Sequence, residues 1–284
     1  MPEIQIFGGG AHAGRHVDVQ DFMVVCPGAT SFGQALEWTA EVYRHAGLLM
    51  AQRGSLFGVA DEGGWWPDFS SNEQALEMLV LAIERAGLIP EDEVAIALDI
   101  ATSEFGRQGQ YRLGLESRKL DSDGMIEMLL RWVEKYPIVS IEDPLAEDDS
   151  VGFSRFTKVI GHRLQIVGDD FLVSNSSLIR EAANLGAANT VLLKPNQRGT
   201  LSETLQAWKV AQELGYSAIV SARSGETEDT TIVDLAIGWN VGQLKVGSFA
   251  RSERMVKWNH ALRIEEQLGA QASFAGASVF RKTH

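Results

Sequence analysis

The stretch LSETLQAWKVAQELGYSAIVS, Leu201–Ser221, decides the fold. Leu201, Leu205, Trp208, Val210, Ala211 and Leu214 recur at helical spacing and give one apolar stripe. Gly215 stops the helix, because glycine closes a last turn in the left-handed region without steric cost. Ser217–Ser221 then reads as a short buried strand. An amphipathic helix, a tight turn and an apolar strand form part of a repeating βα unit.

The unit recurs along the chain. Apolar runs rich in β-branched residues lie at Ile4–Phe7, Phe22–Val25, Val94–Ile100 and Ile138–Asp143. Four more lie at Leu164–Asp170, Thr190–Pro195, Ser217–Arg223 and Gln243–Gly247. Helical patterns cover Phe32–Gln52 and Glu73–Ala86 in succession. Six others, Asp123–Glu134, Gly152–Ile160, Leu178–Asn184, Leu201–Leu214, Thr230–Trp239 and Ser252–Leu268, alternate with the later strands. The first two strands have no helix between them. The order ββαα followed by six βα units predicts an α/β fold, a modified (β/α)8 barrel, as one domain over residues 1–284. A barrel of this kind uses about 250 residues as a single unit, so the length agrees.

Composition narrows the function classes. Hydrophobic residues make up 45% of the chain, enough for a large core, and the formal net charge is −13. A chain this acidic is a poor match for nucleic acid or an anionic membrane, and suits divalent cations better. The only cysteine, Cys26, rules out an internal disulfide and thiolate–metal motifs and points to a reducing, cytoplasmic setting. The first residues show no signal-peptide pattern, and no apolar run reaches membrane-spanning length.

Active sites of such barrels lie at the C-terminal ends of the strands. Three successive strands end in carboxylates: Asp99, Glu142 beside Asp143, and Asp169 beside Asp170. Hard oxygen ligands with open positions suit Mg²⁺, which keeps waters and shares its sphere with substrate. The next strands end in Lys194, in Ser221-Ala222-Arg223-Ser224, and in a segment carrying Lys245. Carboxylates facing two lysines and an arginine describe a site for a metal and a polyanion. Asp61 and Glu62 precede a Gly-Gly turn that can project an acid or base into the mouth. GGGAHAG, Gly8–Gly14, places His12 at the end of the first strand and lacks the Lys-Ser/Thr of a nucleotide loop. The acid-rich run Glu226–Asp229 reads as helix-start signalling.

Taken together these segments resemble the enolase family, the glycolytic phosphopyruvate hydratases. The resemblance rests on GGAHAG, ADEGG, ALDIATSEF, SIEDPLAEDD, IVGDDFLVSN, LLKPNQRGTLSET, RSGETEDTTIVDLA, GQLKVGSFARSER and NHALRIEEQLG, which occur in family order over nearly the whole chain. It implies Mg²⁺ held by Asp99, Glu142 and Asp169, with Lys194 as the base at C2 of 2-phosphoglycerate and Glu62 as the acid at the C3 hydroxyl. It also implies that Lys245 contacts the substrate carboxylate, that Arg223 and Ser224 bind phosphate, and that His12 lies near phosphate and leaving group. The implied product is phosphoenolpyruvate. A base must be neutral, and the neighbouring Lys245 and metal are expected to lower the pKa of Lys194.

The sequence departs from the family pattern at three points. The smaller N-terminal domain of family members has no counterpart in this sequence, which reads as a fragment, as a barrel capped by a separate N-terminal-domain polypeptide, or as a barrel that works differently; the other expected partners are the small phosphorylated substrate and further copies in a homo-oligomer. Ala222 stands where enolases have histidine. Asp21, after Gln20 in VQDFM, stands where they have glutamate, one methylene longer. Pro195 directly after Lys194 biases Lys194 toward extended backbone. Two further readings follow: a paralogue similar to carboxyphosphonoenolpyruvate synthase, acting on a phosphonate or other phosphorylated hydroxy acid, and a non-catalytic binding barrel. For the last, Trp65 and Trp66 would belong to a docking patch.

Overall fold

The structure is a computed structural model that describes residues 1–280. It begins with β1 (Pro2–Gly8), β2 (Asp21–Val25), α1 (Phe32–Gln52), α2 (Asn72–Arg85) and β3 (Ala95–Asp99). A small sheet follows, made of β4 (Gly106–Arg107), β5 (Gln110–Leu113) and β6 (Arg118–Asp121). Then come α3 (Ser122–Lys135), β7 (Ile138–Glu142), α4 (Ser150–Ile160), β8 (Gln165–Gly168), α5 (Ser176–Leu185) and β9 (Thr190–Leu193). The chain continues through α6 (Pro195–Arg198), α7 (Leu201–Glu213), β10 (Ser217–Ser221), α8 (Thr231–Gly238), β11 (Leu244–Gly247) and α9 (Ser252–Leu268).

Eight strands close a barrel in the order β1-β11-β10-β9-β8-β7-β3-β2. All eight predicted strands are present, and the ββαα(βα)6 order holds. β2 runs antiparallel to both of its neighbours, because a direct connection from β1 leaves no crossover to restore the parallel direction. This reversal matters for the site. It brings the first residue of β2, Asp21, opposite the last residue of β3, Asp99. The β4–β6 sheet, which the sequence pattern did not show, is antiparallel and built from strands of two to four residues, too short to display a period.

Side chains alternate between the two faces of each strand. Ile4, Ile6, Phe22, Val24, Ile96, Leu98, Ile141, Ile166, Val191, Leu193, Val220 and Val246 join the large outer cluster under the helices. The inward rows are different. Met23, Val25, Ala95 and Ala97 form one inner cluster, against which Phe274, Val279 and Phe280 of the C-terminal segment pack. Val167, Leu192 and Ile219 form another. One step of two residues further along each inward row the chemistry changes: Ala97 gives way to Asp99, Val167 to Asp169, Leu192 to Lys194 and Ile219 to Ser221.

The helices start where capping residues sit. Ser31, Ser71, Asp121, Asp149, Asn175 and Thr200 each accept a hydrogen bond from a first-turn amide. Lys194 is extended, as its proline neighbour requires, and β9 has already ended at Leu193. Pro195 opens α6 at the first helical position, where the missing N–H costs nothing. Among the described residues no helix is long and apolar enough to cross a membrane.

Candidate active site

The strand ends surround a polar pocket of about 200 Å³. Its wall includes His12, Gln20, Glu62, Asp143, Asp169, Asp170, Lys194, Ala222, Arg223, Ser224 and Lys245. Asp99 and Glu142 lie just beneath, fully buried, and share the Lys245 ammonium at 2.7 and 2.9 Å. Asp21 approaches the same nitrogen at 3.3 Å. Burial works to discharge Lys245, but Asp99, Glu142, Asp21 and Glu62 together raise its pKa well above the ordinary lysine value.

Lys194 meets Asp169 at 2.5 Å. Burial pulls its pKa down, Asp169 and Glu142 push it up, and Lys245 opposes them. The net direction is upward. This corrects the expectation of a lowered value: the effect of Lys245 is present, but the two carboxylates outweigh it.

The acids diverge from one another in a physically sensible way. Burial and the neighbouring charges of Asp99 and Asp169 raise Glu142 well above the carboxylate range, against the pull of Lys245. Burial raises Asp99 too, but Lys245 and a hydrogen bond with Glu142 bring it below its usual value. Glu62 rises to about 7, chiefly by burial and then by the charge of Asp21, while Arg254, Lys245 and Lys194 restrain it. A carboxylic acid that titrates near neutrality can hold a proton and release it.

Carboxylate atoms of Asp143, Asp169 and Asp170 lie within 4.8 Å of one another and form a group able to hold a cation. Asp143 is already committed. Its two oxygens accept from the amides of Asp169 and Asp170 at 3.0 and 2.8 Å, and its backbone sits at φ 41, in the left-handed region. It therefore shapes the β8 turn that presents Asp169. In the resemblance-derived set, Asp99 and Glu142 are joined through Lys245, while Asp169 stands one strand further on, bound to Lys194. Glu142 Oε1 is buried without a hydrogen-bond partner, which leaves a lone-pair position in a ring of acids. An orphan carboxylate oxygen among hard donors fits a divalent cation such as Mg²⁺.

A family model described as the enolase C-terminal TIM barrel domain matches residues 1–283. The chain belongs to that family. In this enolase barrel, several contacts went unread in the sequence. Gln5 bridges Asp21 to the amide of Gly64, so one side chain ties β2 to the Glu62 loop. Asp21 thus turns toward Gln5 and Lys245. Gln20 donates to Asp99 at 2.9 Å, and Gln197 to Asp169 at 3.3 Å. Glu3, buried on β1, carries an unpartnered oxygen and a pKa raised to about 7, chiefly by burial. Alternating polarity in a strand expected to be apolar was the available signal for Glu3 and Gln5.

Other sequence-read residues find quieter places. His12 stands at the rim, 3.8 Å from Asp61. Trp65 stacks on Tyr43 at 4.5 Å and donates to its carbonyl, and Trp66 meets the edge of His16 at 5.5 Å. Asp229 accepts from the amide of Thr231 at the start of α8, as a helix-start residue should. Glu226 does something else: it accepts from the amide of Arg223 at 3.0 Å.

Proposed function

We propose that this enolase barrel is a carbon–oxygen lyase that dehydrates 2-phospho-D-glycerate, or a close analogue, to phosphoenolpyruvate. The observation that carries the reading is one small polar pocket lined at once by Lys194, Glu62, the Arg223–Ser224 pair and a bank of carboxylates. At about 200 Å³ it lies below the range of drug-sized pockets and suits a small metabolite. Base, acid and anion clamp on different strand ends match a proton abstraction next to a carboxylate followed by loss of a hydroxyl.

In this reading Lys194 takes the C2 proton, and the C–H electron pair moves into the carboxylate. The pair then returns to form the C2–C3 double bond as the C3–O bond breaks. Glu62 gives its proton to the departing hydroxyl, which leaves as water. Arg223 and Ser224 hold the phosphate, His12 stands by it, and Lys245 faces the substrate carboxylate. Asp99, Glu142 and Asp169 would hold Mg²⁺, whose role is to stabilise the negative charge that develops on that carboxylate. A ligand role for Asp169 also withdraws the carboxylate that keeps Lys194 protonated, in the direction a base needs.

The test is direct. Purified protein with Mg²⁺ and 2-phosphoglycerate should form phosphoenolpyruvate, and Lys194→Ala should not. Absence of product even with an enolase N-terminal domain supplied separately defeats the reading. A second reading draws on Ala222, whose methyl group lines the pocket beside Arg223 and offers no donor. A pocket without that donor favours a phosphonate or another phosphorylated hydroxy acid. Turnover of such a compound well above that of 2-phosphoglycerate would select it.

A further inference from the structure

The N-terminal end of α9 carries basic side chains that reach the loops of the mouth, and two of them, Arg254 and Lys257, are buried. Arg251, at φ 70 before the helix, donates to the carbonyl of Ala60 at 3.2 Å. Arg254 is 0% exposed. Its Nη1 donates to the carbonyls of Arg223 at 2.7 Å and Val246 at 2.8 Å, and its Nη2 to that of Ser224 at 2.5 Å. Lys257, also buried, donates to Thr227 O at 2.7 Å and pairs with Glu226 at 3.2 Å. Glu226 in turn accepts from the amide of Arg223.

Arg254 does not line the pocket, yet it holds the backbone of both residues of the anion clamp. The consequence is electrostatic. A carbonyl oxygen aimed at a bound anion repels it. With Arg223 O and Ser224 O tied back to a guanidinium, the negative ends of both dipoles face away from the pocket. Arg254 also stands behind the acid. A Cβ added at Gly247 would meet Glu62 O at 2.6 Å and Arg254 Cδ at 3.0 Å, so Gly247 lies between the Glu62 backbone and the Arg254 stem. Ser248 N donates to the same Glu62 carbonyl at 2.9 Å.

We propose that Arg254 is a positioning residue for both ends of the reaction: its fork orients the Arg223–Ser224 clamp, and its buried cation stands behind the Glu62 loop. The proposal rests on the lyase reading above. The two jobs separate chemically. Lysine keeps the charge but cannot reproduce a planar fork on three carbonyls, and glutamine keeps neither.

The experiment compares wild type, Arg254→Lys and Arg254→Gln, with 2-phosphoglycerate and Mg²⁺, over a range of pH. Both variants should raise KM about tenfold, the scale of one lost charge-assisted hydrogen bond. Because Lys194 titrates above Glu62, the acidic limb of kcat/KM inflects at the Glu62 pKa of the free enzyme. Loss of a neighbouring cation raises that pKa, so the limb should move to higher pH in Arg254→Gln and stay in place in Arg254→Lys. The other groups that face Glu62, Asp21, Lys245 and Lys194, are the same in both. A fall in kcat that follows melting temperature, with KM and pH limb unmoved, overturns the proposal.

If wild type does not act on 2-phosphoglycerate, the lyase reading fails by itself, and hydrogen exchange decides the positioning role. Faster exchange confined to residues 60–64 and 223–227 in the variants supports it; unchanged or uniformly faster exchange overturns it. Should neither variant fold, the wild type still answers. Inorganic phosphate should shift the side-chain nitrogen resonances of Arg254, and resonances that do not move at high phosphate overturn the proposal.

Discussion

The floor and the mouth of the barrel are built on the same inward rows of the same strands, and they obey opposite rules. At the floor, Ala97, Val167, Leu192 and Ile219 are buried among apolar neighbours. Two residues further along, Asp99, Asp169 and Lys194 are almost as buried but charged. The floor gains stability by removing apolar surface from water. The mouth works against stability: Glu62, Glu142, Asp143 and Asp170 all have pKa values raised by burial and then by neighbouring carboxylates, Asp21 for Glu62 and chiefly Asp99 and Asp169 for the others. A fold that keeps such a cluster does so for what the cluster binds or catalyses. The comparison can be broken at either end.

The largest effect is expected at the mouth. Lys194→Ala removes the proposed base and should lower kcat by about 10⁴-fold, the upper end for a single acid–base group. Melting temperature should fall as well, because the substitution leaves Asp169 buried without its partner, so the loss in kcat is read per folded molecule. The mirror experiment is Leu192→Ala, two residues earlier on the same row. Leu192 is 0% exposed, and its truncation should cost about 2–5 kcal/mol in a urea titration while leaving activity per folded molecule intact. If Leu192→Ala altered kcat as much as stability, floor and mouth would not be separable.

This division explains what was legible beforehand. The strands were readable because each outward face is apolar, and the helices because their apolar stripes keep a 3.6-residue period. The mouth was readable because charged residues end apolar runs: Asp99, Glu142, Asp169 and Lys194 each interrupt one. Gln5 and Glu3 escaped because they sit inside β1, where neighbouring apolar residues mask a polar row. Arg254 escaped because it lies on a helix whose outer residues are charged, and nothing in the spacing shows which of them is buried. The direction of the Lys194 shift escaped because it depends on the distance to Asp169, which no sequence gives.

A smaller effect concerns pH. Glu62 and Glu3, which titrate near 4.5 when unfolded, hold their protons to about 7 in the folded chain. Between those values the folded state binds more protons than the unfolded one, so stability falls as pH rises through this window. Without divalent cations the melting temperature should therefore decline between pH 5 and pH 7.5 by more in wild type than in Glu62→Gln or Glu3→Gln. Equal slopes in all three would mean that these carboxyls are ionised in the fold at pH 5. Added Mg²⁺ should raise the melting temperature of wild type, and of Glu142→Gln much less, since binding to the folded state alone is stabilising.

The smallest effect tests whether burial, and not charge as such, makes the mouth costly. Arg15 and Glu104 form an ion pair at 2.8 Å on the rim, linking the loop after β1 to the loop after β3. Their side chains are 61% and 41% exposed. Water already solvates both partners, so their attraction is screened and the entropy of fixing two long side chains offsets what remains. Arg15→Ala should change stability by less than about 1 kcal/mol and should do so only at low ionic strength. The Lys245 cluster is made of the same chemical groups at similar distances, but it is buried. Lys245→Met strips the only ammonium from between Asp99 and Glu142, and should cost several kcal/mol at neutral pH. A double-mutant cycle that returned similar coupling energies for the rim pair and for Lys245–Glu142 would show that the mouth is wetter than its geometry indicates.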